Sequence, residues 1–167
     1  KSDFFYNWLS SNYSKKYSGK CWGYNFPWST PEKYLDAYVP SAVVTGFVAK
    51  GVYEYYLITK NKEAIKLLES ACRFLDNDLE KLFHESGISI SYTPIQTDIC
   101  YNSSLLAAEV FAITYSLNND IRLKNLAIRA VDFVIDKQHK NGKWNYSLNL
   151  DQTKEEEQID FHQGYVL

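Results

Sequence analysis

Apolar residues recur at helical spacing along most of the chain, and short aromatic or glycine-led segments interrupt them. Residues 40 to about 59 and about 100 to 117 are apolar over most of the helix circumference, which is typical of buried helices. Residues 62 to about 84 and 121 to about 138 alternate an apolar with a charged face, which is typical of surface helices. The pattern therefore predicts inner and outer helices in turn, after a first helix over residues 3 to about 14.

The inner–outer pair occurs twice at a constant spacing. Three glycine-led segments separate the helices and end in tyrosine, at Gly19 to Tyr24, Gly87 to Tyr92 and Gly142 to Tyr146. Paired helices that repeat in this way bury their apolar faces on their neighbours. The matched residues Tyr56, Leu67, Ala71 and Phe74 lie 59 positions before Tyr115, Leu126, Ala130 and Phe133.

The repeat predicts an all-α fold of antiparallel helical hairpins. We expect about three hairpin repeats, arranged as part of an α/α ring, with short extended aromatic linkers gathered at one mouth. The closing residues 159–167 match the start of an earlier inner helix, since Phe161-His162 lies 60 positions after Tyr101-Asn102. We expect residues 1–167 to form one α/α-hairpin domain and to be a fragment of a larger α/α toroid.

Composition and charge narrow the classes of function. Tyr, Trp and Phe make up 16% of the chain, which indicates either ring-rich helix packing or a cleft for flat, polar ligands such as sugars. A net charge of -2 gives no field that would attract nucleic acid. No apolar run is long enough for a membrane span, and the motifs predict neither a cofactor nor a metal. We predict a cytoplasmic protein, with export left open because the native N-terminus is not visible, and the oligomeric state stays open.

The pattern resembles the α/α-toroid (six-hairpin) superfamily, which includes terpenoid cyclases, protein prenyltransferases, many glycosidases and several uronate-polysaccharide lyases and epimerases. Some relatives of this kind carry the name delta-aminolevulinic acid dehydratase, an activity that belongs to a TIM barrel, whereas no series of eight βα units is visible here. Over about residues 18–167, the chain is similar to uncharacterised bacterial proteins found near polysaccharide-biosynthesis functions. The segments that carry this similarity are residues 21–24 with Trp28, 91–94, 142–146 and 159–167.

If the linkers meet at one mouth, their aromatic and polar side chains meet there too. Rings stack on the C–H faces of sugars, and amide groups bind sugar hydroxyls. The alternative is that Trp and Tyr of each linker wedge between neighbouring hairpins. The predicted substrate-binding residues are Trp22, Tyr24, Trp28, Tyr92, Asn102, Trp144 and Tyr146.

The predicted catalytic residues are His162, Asp160 and Tyr165, at the entrance of the closing helix. Histidine exchanges protons near neutral pH, so His162 is the first candidate for acid–base work. Asp160 has a purely structural alternative as the helix N-cap. No second acidic residue is placed to complete a glycosidase pair, and no aspartate-rich diphosphate–magnesium motif is present.

Three hypotheses of function follow. The first is a carbohydrate-directed α/α-toroid protein of bacterial surface-polysaccharide metabolism, acting, if catalytic, as a lyase, epimerase or hydrolase on a glycan. The second is a non-catalytic helical-repeat module that binds a glycan or a protein through its aromatic rim. The third is a terpenoid- or prenyl-binding toroid, which predicts a deep ring-lined pocket with no polar rim.

Overall fold

The computed structural model describes residues 1–29, 34–157 and 163–166. Helices dominate the described residues, and short antiparallel strands join them. The helices are α1 (Ser2–Ser11), α2 (Ala42–Thr59), α3 (Lys62–Asn77), α4 (Tyr101–Asn118), α5 (Ile121–Asp136) and the single turn α6 (Gln163–Val166). The strands are β1 (Trp28–Ser29), β2 (Tyr34–Leu35), β3 (Lys81–Phe83), β4 (Ile88–Ile90), β5 (Ile99–Cys100), β6 (Ser147–Leu148) and β7 (Glu155–Glu156).

The helices α2 to α5 form two hairpins related by a constant displacement. Both ends of α4 lie 59 residues after those of α2, and both ends of α5 lie 59 residues after those of α3. Each hairpin turns through one left-handed residue, Lys60 (φ 57°) or Asn119 (φ 59°). The next residue, Asn61 or Asp120, accepts a hydrogen bond from the outer helix and caps its N-terminus. The two turns are therefore built alike.

The expected all-α class is wrong, because the described linkers form three small antiparallel sheets. Strand β1 pairs with β2, β3 with β4, and β6 lies between β5 and β7. Buried backbone N–H and C=O groups need hydrogen-bond partners, and the linker segments supply these partners by pairing as short strands. Strands of two or three residues are too short to show an alternating pattern, so they cannot be predicted from periodicity. The first of the linkers that we expected to be merely extended contributes β1, which begins at Trp28.

A strand also shortens the first outer helix. We expected it to reach about residue 84, but α3 ends at Asn77 and Lys81–Phe83 form β3, which pairs with β4 across the turn around Gly87. None of the described helices is long and apolar enough to cross a lipid bilayer.

Two glycines let the linkers lie directly on the outer helices. A methyl carbon placed on Gly19 would lie 1.8 Å from the Ser70 carbonyl oxygen of α3. The same atom on Gly87 would lie 2.0 Å from the Arg129 carbonyl oxygen of α5. Ser70 and Arg129 occupy equivalent positions, 59 residues apart, so both linkers cross their outer helix at the same turn.

Hydroxyl groups on the inner helices hold the next part of each linker. The Thr45 hydroxyl of α2 accepts the backbone N–H of Trp22 at 3.1 Å and donates to its carbonyl at 3.3 Å. The equivalent Ser104 of α4 accepts the N–H of Ile90 at 2.9 Å, and Ser103 donates to the Ile90 carbonyl at 2.8 Å. Each linker is thus fixed between an outer helix and an inner helix.

We expect Gly87→Ala to destabilise the protein by about 2–3 kcal/mol, because the added methyl group collides with backbone atoms that cannot move aside cheaply. Gly51→Ala is the matched control, because Gly51 is exposed within α2 and has open space where a methyl group would lie. That change should stabilise the protein by about 0.5–1 kcal/mol. Urea unfolding followed by circular dichroism measures both, and equal effects would show that the close contact is not needed.

Candidate functional site

The three-stranded sheet forms a cleft beside the first turn of α4. Ile99 pairs with Leu148, and Leu148 pairs with Glu155, so the strand leading into α4 is joined to the hairpin of β6 and β7. Asn149 and Asp151 stabilise the hairpin loop through hydrogen bonds to Thr153 and Lys154. The sheet thus carries residues far apart in sequence to one edge of the helical hairpins.

The cleft has a volume of about 620 Å³ and a lining that combines apolar and polar side chains. Its described lining comes from residues 96–100, 146–151 and 154–156. One aromatic ring, Tyr146, and three aliphatic side chains, Ile99, Leu148 and Leu150, supply apolar surface. The charged side chains of the lining are Asp98, Asp151, Lys154, Glu155 and Glu156.

Four of the predicted sugar-binding rings gather in one group, and one of them, Tyr146, lines the cleft. Trp28 lies edge-on to Tyr24 at 6.5 Å and to Tyr92 at 5.7 Å between ring centroids. Tyr24 also hydrogen bonds Tyr92, and Trp28 and Tyr146 pack against the buried group that contains Tyr92 and Cys100. We call Tyr24, Trp28, Tyr92 and Tyr146 the aromatic cluster. Tyr92 is buried within it, whereas the other three rings are half-buried.

Asn102 lies next to the aromatic cluster but is turned into the protein. It is buried in the first turn of α4, and its side-chain oxygen accepts a hydrogen bond from the Cys100 thiol at 2.8 Å. Cys100 in turn hydrogen bonds Tyr146. Asn102 therefore supports the cleft wall from behind.

Trp22 and Trp144 lie apart from the aromatic cluster, in the packed interior. Both rings are buried, and each indole N–H donates to a backbone carbonyl at 2.7 Å, of Asn12 and Val134 respectively. This geometry favours the alternative role in which these rings wedge between hairpins. Their assignment as sugar-binding residues stays a prediction that this geometry does not favour.

The predicted catalytic residues cannot be located. His162 and Asp160 lie outside the described residues, and of Tyr165 only the backbone, within α6, is described. Helix α6 lies against α4, and Val166 packs on the cluster around Tyr101 and Trp144. These roles remain predictions.

A network of polar side chains that the sequence analysis did not predict is centred on Glu155. One carboxylate oxygen accepts the Tyr101 hydroxyl at 2.6 Å. The other lies 2.6 Å from Nε2 of His139 and accepts the Asn145 side-chain amide at 2.7 Å. Glu155 lines the cleft, so this network forms part of its wall.

The network keeps Glu155 ionised. Burial raises the pKa of the Glu155 carboxyl, but the hydrogen bonds from Tyr101, His139 and Asn145 outweigh it and leave the pKa below its usual range. Burial, together with the bond to Glu155, raises the pKa of the Tyr101 hydroxyl. Burial likewise raises the pKa of Tyr92 and Tyr146. The cleft wall therefore contains an ionised carboxylate, and the hydroxyls of Tyr101, Tyr92 and Tyr146 stay neutral.

The Glu155 network could not be predicted from the three consecutive glutamates 155–157, because such an acidic run usually forms a solvated loop. In the structure Glu155 and Glu156 form β7, and Glu156 accepts a hydrogen bond from Ser147 at 2.9 Å. His139, which lies three residues beyond the end of α5, bonds to Glu155. The available signal was Asn145, a polar residue between the two rings of the third linker.

Within the described ranges, no group of three His, Cys, Asp or Glu side chains is arranged to hold a metal ion. No family model matches the chain, and no curated protein matches it significantly. The site is therefore interpreted from its own geometry.

We expect the pKa of Glu155 to lie below the ordinary value of about 4.3 and to rise in Tyr101→Phe, which removes one bond to the carboxylate. Since the folded pKa is lowered, the carboxylate stabilises the fold above its unfolded pKa, and this stabilisation is lost as the pH falls through the folded pKa. Carboxyl NMR titration measures the shift.

Tyr115→Phe is the matched control for this titration. Tyr115 lies on the same helix, about 20 Å along its axis from Tyr101. The control should leave the Glu155 titration in place. An unchanged pKa in Tyr101→Phe would contradict the proposed network.

Proposed function

We propose that the chain is a carbohydrate-directed protein of bacterial surface-polysaccharide metabolism that holds a glycan in the cleft beside the three-stranded sheet. The observation that carries this proposal is the cleft itself, an open volume of about 620 Å³ that combines a half-buried tyrosine ring with carboxylates, amides and hydroxyls. Sugars need both kinds of surface, because their rings have apolar C–H faces and polar edges.

The charge of the cleft restricts the class of glycan that could bind there. The described lining carries the carboxylates of Asp98, Asp151, Glu155 and Glu156 against the single cation of Lys154. Such a surface repels a polyuronate and accepts a neutral sugar or one with a free amino group. We therefore propose neutral or amino-sugar glycans as the ligand class.

The proposed chemistry, if the protein is an enzyme, is that of a lyase, epimerase or hydrolase. His162 is the proposed proton-transfer group, with Asp160 and Tyr165 as its partners, and the Glu155 network adds a carboxylate and a histidine at the cleft wall. The repulsion of uronates argues for the hydrolase within this group. The cytoplasm is the proposed location.

The proposed alternative is a non-catalytic module that binds a glycan or a protein. An apolar stripe on the outward face of α5, composed of Ile121, Ile128, Val131 and Ile135, favours a protein contact in addition to the cleft. The terpenoid alternative gains no support, because the cleft found here has a charged rim rather than a ring-lined interior.

We expect oligosaccharides of glucosamine or of neutral hexoses to bind more tightly than oligouronates of the same length. Glu156→Ala should weaken this binding by about tenfold or more, because it removes an acceptor from the cleft edge. Glu157→Ala is the control, since Glu157 follows β7 and is exposed. Isothermal titration calorimetry measures the affinities of the wild-type chain and of both variants for these oligosaccharides.

Equal affinity for neutral and acidic sugars, or equal effects of the two glutamate variants, would contradict the assigned cleft. Release of new reducing ends from the bound oligosaccharide would identify a hydrolase. Stable binding without any product would identify the non-catalytic module.

A further inference from the structure

Helix α5 carries apolar side chains on the face that points away from the protein. Its buried residues Leu123, Ala127, Ala130, Phe133 and Val134 occupy one side of the helix. Isoleucines at seven-residue intervals occupy the opposite side, and at 3.6 residues per turn such residues line up along the helix. The exposed fractions are 59% for Ile121, 47% for Ile128 and 59% for Ile135, with Val131 beside them at 37%.

The sister hairpin shows that the fold does not require these isoleucines. The positions of α3 that correspond to Ile121, Ile128 and Ile135 across the 59-residue displacement are occupied by charged residues. They are Lys62, Glu69 and Asp76. The apolar outward face is therefore particular to α5.

The stripe is self-complementary when two copies of α5 run antiparallel. With the two-fold axis at Ile128, Ile121 of one copy faces the partner's Ile135. The same operation sets the exposed Lys124 against the partner's Asp132, which pairs opposite charges on both sides of the axis. Phe83, 71% exposed, extends the apolar surface beside α5, where Arg129 lies over its ring at 5.3 Å.

We propose that the outward face of α5 is the interface of a homodimer, in which two α5 helices pack antiparallel about Ile128. The face is short, so the dimer is a weak one, with a dissociation constant on the order of 10 µM. None of the described residues that line the cleft belongs to α5, so the proposal is independent of the proposed ligand.

Sedimentation equilibrium over roughly 1–200 µM tests the proposal directly. The chain should pass from monomer to dimer, and Ile128→Lys should weaken the dimer by about a hundredfold or more, because it brings two ammonium groups together at the axis. The matched control is Ile58→Lys, at an 82% exposed isoleucine near the end of α2, which should leave the dimer intact. Circular dichroism checks that both variants fold.

A charge exchange tests the antiparallel register. Lys124→Asp alone should weaken the dimer by about tenfold, because it faces the partner's Asp132, and the double variant Lys124→Asp with Asp132→Lys should restore it. A wild-type chain that stays monomeric at the highest concentration would overturn the proposal. So would a dimer that survives Ile128→Lys, or one that the double variant fails to restore.

Discussion

The linker backbone lies so close to the outer helices at Gly19 and Gly87 that no side chain fits between them. This contact fixes where each linker crosses its hairpin, and the hydroxyls of Thr45 and Ser104 fix the residues that follow. A linker held at two points leaves little freedom for the next residues. The side chains of Tyr24 and Tyr92, each five positions after the glycine, consequently lie within hydrogen-bonding distance of each other.

The cleft depends on this arrangement. The residue before β5, Asp98, accepts the backbone N–H of Tyr92 in the second linker at 2.7 Å. Strand β5 then pairs with β6 of the β6–β7 hairpin. That hairpin brings Glu155 within hydrogen-bonding distance of Tyr101, His139 and Asn145. A polar network assembled from four separate parts of the chain thus stands beside an aromatic cluster, which is the combination that a sugar requires.

Helix periodicity allowed the two hairpins to be predicted, because an apolar stripe repeats over many residues and the 59-residue displacement is visible in matched side chains. The sheets could not be predicted in the same way. Strands such as Ile99–Cys100 and Glu155–Glu156 are two residues long, and their pairing is set by contacts far away in sequence. The aromatic cluster was partly predictable, because each of the three glycine-led linkers ends in one of its rings, Tyr24, Tyr92 or Tyr146. Trp22 and Trp144 could not be separated from Tyr24 and Tyr146 by pattern alone, because a ring that packs and a ring that binds look the same in a sequence.

We propose that the linkers of the repeated hairpins build a glycan-binding cleft at the edge of the β5–β6–β7 sheet. Chemical-shift mapping of backbone amides during titration with a glucosamine oligosaccharide tests it most directly. The account predicts that the perturbed amides concentrate in residues 96–100 and 146–156, with α1 and α5 unaffected. Perturbations absent from those residues, or spread evenly over the helices, would contradict it.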